Sequence, residues 1–312
     1  MNSHPFVALS FVIILTASAA SFAADPGYQH PIRGAVFVDA NANGKRDAGE
    51  AGRAGIAVSD GFGVVRTNAS GNYELANAAR DARFVFVHQP GDVKQNGQTF
   101  FRRLSKDGSA EERHEIGLEP ARPAEGGNGA GVRFVQLTDS HVRGVADRDY
   151  MKEATREMYA MKPPPDFVVA TGDLVDWGVD EHFQNYVAGM QSPPVPYFNV
   201  FGNHEIYRGP IERYHQYIGP DYYSFERGGI LFLALNCVTK SARQDAWLAE
   251  TLKLLGKGRP VVVMQHFPPS VAEMEKFARL GVKSVFSGHW QSEKEMEHPS
   301  VESINDAIRG AL

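Results

Sequence analysis

The 312-residue chain is short of several things, and each shortage excludes something. It has one cysteine, Cys237, so no internal disulfide can form. Cys237 lies in the apolar run ILFLALNCV and reads as a small core residue rather than a nucleophile. The formal net charge is −5, from 32 Lys and Arg against 37 Asp and Glu, and no basic patch suited to nucleic acid is evident. After the first two dozen residues no apolar run is long enough to span a bilayer.

The amino terminus holds the longest apolar stretch, FVALSFVIILTASAA followed by AADPG, itself too short for a comfortable membrane span. An apolar stretch, small residues and a turn make the pattern of a signal peptide over residues 1–24, although its first residues, MNSHP, lack Lys and Arg. A secreted or periplasmic protein is expected, with no membrane span once the signal is removed.

What is present divides the chain in two. Over residues 27–119, GAVFVDA, GIAVSDG, VVRTNASGNYEL and ARFVFVHQ are short Val- and Phe-rich runs bounded by Gly, Asn and Asp. No long amphipathic helix interrupts them, so an all-β sandwich is predicted. Residues 120–131 concentrate Pro, Gly and Ala and read as a linker. From 132 to 312, apolar runs such as DFVVATGD and PVVVMQH alternate with helix-like stretches such as RDYMKEATREMYAM, ARQDAWLAETLKLL and VAEMEKFARL. That alternation predicts an α/β domain.

Two sets of residues carry chemistry. In DANANGKRDAGE, Asp39, Asn41, Asn43, Asp47 and Glu50 stand at positions 1, 3, 5, 9 and 12 of a calcium loop, with Gly44 at the bend. A strand and turns flank this loop in place of the two EF-hand helices. One structural calcium is expected there, as a stabilising clip, and the alternative is a solvated polar turn.

The second set is spread over five strand ends. Asp139-Ser140-His141, Gly172-Asp173-Leu174-Val175-Asp176, Gly202-Asn203-His204-Glu205, His266-Phe267-Pro268-Pro269 and Gly288-His289-Trp290-Gln291 each follow an apolar run. Loops at the carboxyl ends of strands form the ligand crevice of an open α/β sheet, so these side chains are predicted to converge. Gly172, Gly202 and Gly288 are expected to let the backbone turn sharply there.

In this order the five motifs resemble those of the calcineurin-like metallophosphoesterases, from about Val132 to Gln291. DYYSFERGGILFLALN is similar to that family's strand pair, and QDAWLAETL to the helix after it. The front region resembles the calcium-binding β-sandwich repeats of bacterial surface adhesins, and the pairing of the two resembles a secreted bacterial subgroup. The resemblance implies a four-layer αββα domain with two divalent transition metals, Mn, Fe or Zn. Asp139, His141 and Asp173 would hold one metal, and Asp173, Asn203, His266 and His289 the other. It also implies hydrolysis of a small phosphate ester by a bridging hydroxide, with His204 protonating the leaving group. Asp176 would orient the loop or a ligand. Glu205 would buttress His204 or form a surface ion pair, and Arg208 and Arg213 are candidates to touch phosphate.

The sequence departs from the family pattern twice. Gln291 stands where the family has a second histidine ligand, so weaker binding of the first metal is expected. The segment after Gln291 is charged and lacks recognisable closing strands, which reads as truncation. A second reading therefore stays open: a catalytically impaired metal-binding or adhesion protein on a phosphoesterase scaffold.

Overall fold

The computed structural model describes residues 31–76, 78, 81–94, 100–105, 111–120, 131–190 and 195–289. The signal segment, most of the linker, Gln291 and the tail lie outside them.

Seven strands precede residue 120, and among the described residues there is no helix in this part. β1 (Ile32–Val38) pairs antiparallel with β4 (Asn72–Leu75) and in parallel register with β7 (Glu112–Leu118). β2 (Ala57–Ser59) lies between β3 (Val64–Arg66) and β5 (Phe84–Val87), and β5 carries β6 (Phe101–Arg103) on its far side. The Val and Phe of β5 are buried throughout.

The second part alternates as expected. β8 (Phe134–Leu137), β9 (Phe167–Ala170) and β10 (Tyr197–Asn199) form a parallel sheet in the order β10-β9-β8. α1 (Val145–Ala160) and α2 (Asp180–Gly189) connect them, and α3 (Ile211–Tyr217) follows. The second sheet has the order β11-β12-β13-β14, from β11 (Tyr223–Arg227), β12 (Ile230–Ala234), β13 (Val261–Met264) and β14 (Val282–Phe286). β11 and β12 are antiparallel, joined by Gly228 and Gly229, and the rest of the sheet is parallel. α4 (Ala242–Thr251) and α5 (Val271–Arg279) make its connections. Ser270 starts α5 by accepting from the Glu273 N–H while the Glu273 carboxylate accepts from the Ser270 N–H, a reciprocal cap.

β9 shows why its run FVVA is apolar throughout. Side chains alternate across a strand, and here both faces are covered. Val168 and Ala170 join a core with Met151 of α1, Phe183 and Tyr186 of α2, and Tyr214 of α3. Phe167 and Val169 face the other core. There, the rings of Phe198 and Phe225 stack at 3.6 Å, and Phe167 meets Phe225 and Phe232 edge-on at 5.3 and 5.2 Å. The two sheets of the second part thus meet through phenylalanines.

That same core runs on into the first part of the chain. Phe86 of β5 packs 6.4 Å from Tyr222 and 6.2 Å from Trp247 of α4. Just past β5, Gln89 accepts from the Glu226 N–H at 2.8 Å, so β11 carries main-chain bonds to the front region. Tyr222 donates to the Gly61 carbonyl at 2.6 Å, and Arg243 reaches the carboxylates of Asp60 and Asp81. The two parts share one hydrophobic interior.

Candidate metal centre

The five loops converge. Asp139 and His141 follow β8, Asp173 follows β9, Asn203 follows β10, His266 follows β13 and His289 follows β14. Three ligand groups form, each with atoms within 4.8 Å of one another: Asp139 with His141 and Asp173, Asp173 with His266 and His289, and His141 with Asp176 and His204. Asp173 belongs to two of them. Its Oδ2 lies 3.1 Å from Nε2 of His266 and 3.9 Å from Nε2 of both His141 and His204.

The backbone is bent to make this happen. Asp139, His141, Asp173 and His289 all sit at positive φ, between 42° and 73°. Non-glycine residues rarely adopt such angles, and strain of this kind persists only where the surroundings fix it. Three glycines bring the loops close. Gly172 has φ 95°, and a Cβ on it would stand 2.5 Å from His266 Nδ1. Gly202 and Gly288 do not have positive φ. Their contribution is closeness, because a Cβ would lie 2.3 Å from the Asp173 nitrogen and 1.8 Å from Thr138 Oγ1 respectively. The sharp-turn expectation holds for Gly172, and the other two are needed for loop-to-loop approach.

The hydrogen bonds show what the centre requires. His266 Nδ1 is 2.8 Å from the Thr171 carbonyl, which can only accept, so this nitrogen carries the proton. Its Nε2 then faces Asp173 Oδ2 at 3.1 Å, Asn203 Oδ1 at 3.1 Å and His289 Nδ1 at 3.2 Å. Two of these partners are oxygens that can accept, so the spot suits a positive charge, either a second proton on the ring or a metal ion. Asp139 Oδ1 is buried and has no hydrogen-bond partner among the described residues. Burial works against charge on both groups, yet the Asp173 carboxylate raises the His266 pKa, and the His266 ring, helped by the His204 N–H, holds Asp173 low. The centre attracts positive charge, and its mixed nitrogen and oxygen donors fit divalent transition metals.

His204 is set differently. Its Nδ1 donates to the Asp176 carbonyl at 2.8 Å, and its Nε2 turns toward Asp173. The Asp176 carboxylate lies 3.7 Å from His141 Nδ1 and 3.8 Å from His204 Nδ1, and Arg143 pairs with its other oxygen at 3.1 Å. Asp176 therefore braces two imidazoles from behind.

Glu205 corrects both expectations for it. It is fully buried, so it forms no surface ion pair, and it grips main chain rather than His204. Its oxygens accept from the N–H groups of Asp173, Leu174, Val175 and Gly202 at 2.6–3.2 Å, tying two ligand loops together. Burial first, then the neighbouring Asp173 charge, pushes its carboxyl up to about 7. Pattern reading missed this because a Glu after His looks like a surface residue. The signal was the closeness of two glycine-led loops, which leaves main-chain N–H groups to be satisfied.

Arg213 is committed to Asp180 and the Gly178 carbonyl, and Arg208 lies 3.8 Å over the Trp177 ring. Cys237 is buried and its sulfur accepts from the Phe267 N–H. Gln291 falls outside the described residues.

In the calcium-type loop, Asp39 accepts from the Asn43 and Gly44 N–H groups, and Glu50 from those of Ala40 and Asp47. The side-chain amides of Asn41 and Asn43 donate to Asp47. Among the described residues no group of three His, Cys, Asp or Glu ligands forms there.

Comparison with known proteins places these loops in context. A family model described as "Calcineurin-like phosphoesterase" matches residues 132–293, and one described as "N terminal of Calcineurin-like phosphoesterase" matches residues 40–120. A serine/threonine-protein phosphatase CPPED1 from Bos taurus is 31% identical over 180 residues, covering 45% of this chain and 57% of its own. The human protein of the same name is 29% identical over 181 residues, with the same coverage. A 3',5'-cyclic-nucleotide phosphodiesterase from Nostoc sp. is 25% identical over 155 residues, covering 45% of this chain and 58% of its own. The chain thus spans less than two thirds of the length of these relatives. With the first family model covering more than half of the residues, the chain belongs to the calcineurin-like phosphoesterase family.

Proposed function

We propose that the protein is a metal-dependent phosphoesterase acting on a small phosphate ester. The observation that carries this is the convergence of two ligand groups on Asp173, one with Asp139 and His141 and one with His266 and His289, each with its ligand atoms within 4.8 Å of one another. Asp139, His141 and Asp173 would hold one divalent ion, and Asp173, Asn203, His266 and His289 the other, with Mn, Fe and Zn all compatible with the donors. Two such cations supply neutralisation of phosphoryl charge and a lowered pKa for water. The chain's own residues do the rest. Asp173 presents one oxygen to three imidazoles, Asp176 fixes the orientation of His141 and His204, and His204 directs its Nε2 into the centre for proton transfer to the departing oxygen.

The finer architecture belongs to the same reading: a β-sandwich in front, then four αββα layers. The phenylalanine contacts between the two sheets support the layers. A structural calcium in the 39–50 loop is supported by its all-oxygen donor set, and a calcium-titration heat signal lost in Asp39→Ala tests it. The first 24 residues, read as an export signal, support a secreted or periplasmic enzyme, and fractionation of expressing cells tests that. No helix among the described residues is long and apolar enough to cross a membrane.

The activity test is release of phenolate from an aryl phosphomonoester and diester by the full chain with Mn²⁺, alongside metal analysis. Two transition metals per chain and turnover abolished in His204→Ala are expected. One metal per chain without turnover would overturn the proposal and favour the impaired-scaffold alternative, whose motivating residues, Gln291 and the tail, lie outside the described residues.

A further inference from the structure

We propose that Tyr207 selects the leaving group, favouring phosphate esters whose departing oxygen is attached to a planar aromatic ring. This rests on the assignment of His204 as the proton donor to that oxygen.

Tyr207 is a large aromatic left 48% exposed, three residues beyond His204. Its ring centroid lies 4.4 Å from that of His204, at an interplanar angle of 40°. A group leaving from beside His204 therefore meets Tyr207 next. The ring does not ride on a loose loop. The Tyr207 N–H donates to the His204 carbonyl at 3.1 Å, and the Tyr207 carbonyl accepts from the Gly178 N–H at 2.7 Å. Two glycines allow this contact between main chains: a Cβ on Gly178 would stand 2.2 Å from the Glu205 carbonyl oxygen, and one on Gly209 would stand 1.8 Å from that of Gly178.

Neighbouring side chains are occupied elsewhere. Arg208, forced to φ 60°, lies over Trp177, which stacks in turn on His182. Among the described residues, Phe267 also lies beside the centre, 4.6 Å from His289 and so next to a different ligand. Among the described residues, Tyr207 is thus the aromatic ring next to His204, on the side where the ester bond breaks. A held ring with an open face costs little entropy to use, and ring-on-ring contact adds to simple apolar burial.

Non-hydrolysable phosphonates separate this recognition from turnover. Benzylphosphonate and ethylphosphonate put a methylene where the ester oxygen would be, one with a ring and one without. Binding to the Mn²⁺-loaded full chain is measured by calorimetry for wild type, Tyr207→Leu and Tyr207→Phe. Wild type is expected to bind the benzyl compound about tenfold more tightly, within the range known for aromatic stacking. That preference should be kept in Tyr207→Phe and largely lost in Tyr207→Leu. Equal binding of both compounds by wild type, or a preference surviving in Tyr207→Leu, overturns the Tyr207 assignment alone. A parallel loss of both affinities in Tyr207→Phe also overturns it, by pointing to the hydroxyl. Binding of neither compound by metal-loaded wild type overturns it together with the phosphoesterase reading.

Discussion

The two halves of this chain use the same residue types in opposite ways. In the loop at 39–50, both oxygens of Asp39 and both of Glu50 already accept from main-chain N–H groups. In the centre formed by the second half, the main-chain bonds pin Nδ1 of His266 and His204 so that their Nε2 atoms turn toward Asp173, where ligand groups converge. The difference teaches that a metal-ligand pattern in sequence says which donors are available. The arrangement of their hydrogen bonds says how many of those lone pairs are already engaged.

The sharpest way to break that contrast is to remove its central charge. Asp173→Ala takes away the oxygen that three imidazoles face. A fall in kcat/KM for aryl phosphate of at least about a thousandfold is expected, as for loss of metal-supported chemistry, together with loss of bound metal by elemental analysis. Unchanged turnover would mean that the converging loops are not the reactive centre.

The next largest effect concerns the boundary between the halves. Phe86 belongs to the front region, yet it packs against Tyr222 and Trp247 of the second. Phe86→Ala should cost about 3–5 kcal/mol in urea unfolding, the usual range for deleting a buried ring. Because the core is shared, one transition should shift as a whole and phosphoesterase activity should be lost with it. An early separate transition that spares activity would show the halves to be independent.

How much of this was legible beforehand follows the same division. The five ligand loops were, because each polar cluster ends a buried apolar run and buried strands are conspicuous. α5 was too, with its Ser270 and Glu273 cap preceding a clear apolar face. β7 was not, since Glu112, Arg113, His114 and Glu115 disguise a strand whose far end, Ile116–Leu118, is buried. α2 was missed because its first cap residue, Val179, makes no side-chain hydrogen bond and so leaves no start signal. The shared core was hidden for a different reason. A run rich in Pro and Gly between two patterns suggests two separate bodies, while Phe86 and Trp247 carry no mark of which partner they will find. Glu205 was named but given the wrong role, since its four partners are main-chain groups that sequence does not display.

Glu205→Gln tests its main-chain role at smaller amplitude. The change keeps the shape but turns one acceptor into a donor facing main-chain N–H groups. A loss of about 1–3 kcal/mol in unfolding free energy is expected, the cost of an unsatisfied buried pair. Because the clamp spans the Asp173 and Gly202 loops, Mn²⁺ affinity should fall as well. A variant with wild-type stability and affinity would remove Glu205 from the account of how the loops are held.

The smallest effect lies at the seam between the halves and is read through pH. His88 is buried where β5 meets β11, with Nδ1 3.0 Å from Ser224 Oγ and Nε2 3.9 Å from Glu226. Burial depresses its pKa most, Arg259 and Arg66 push the same way, and Glu226 opposes them without prevailing. Its folded pKa therefore lies below the unfolded value near 6.5. As pH falls through about 6.5 the unfolded chain takes up this proton first, so stability present above that pH is lost below it. One proton limits the slope to about 1.4 kcal/mol per pH unit. His88→Asn keeps a polar partner for Ser224 and cannot titrate, so its stability should decline less between pH 7 and pH 5.5 than that of wild type. Comparing urea midpoints at the two pH values isolates this contribution, since every other carboxylate and histidine is common to both proteins. Equal declines would show that the seam between the halves is indifferent to acid.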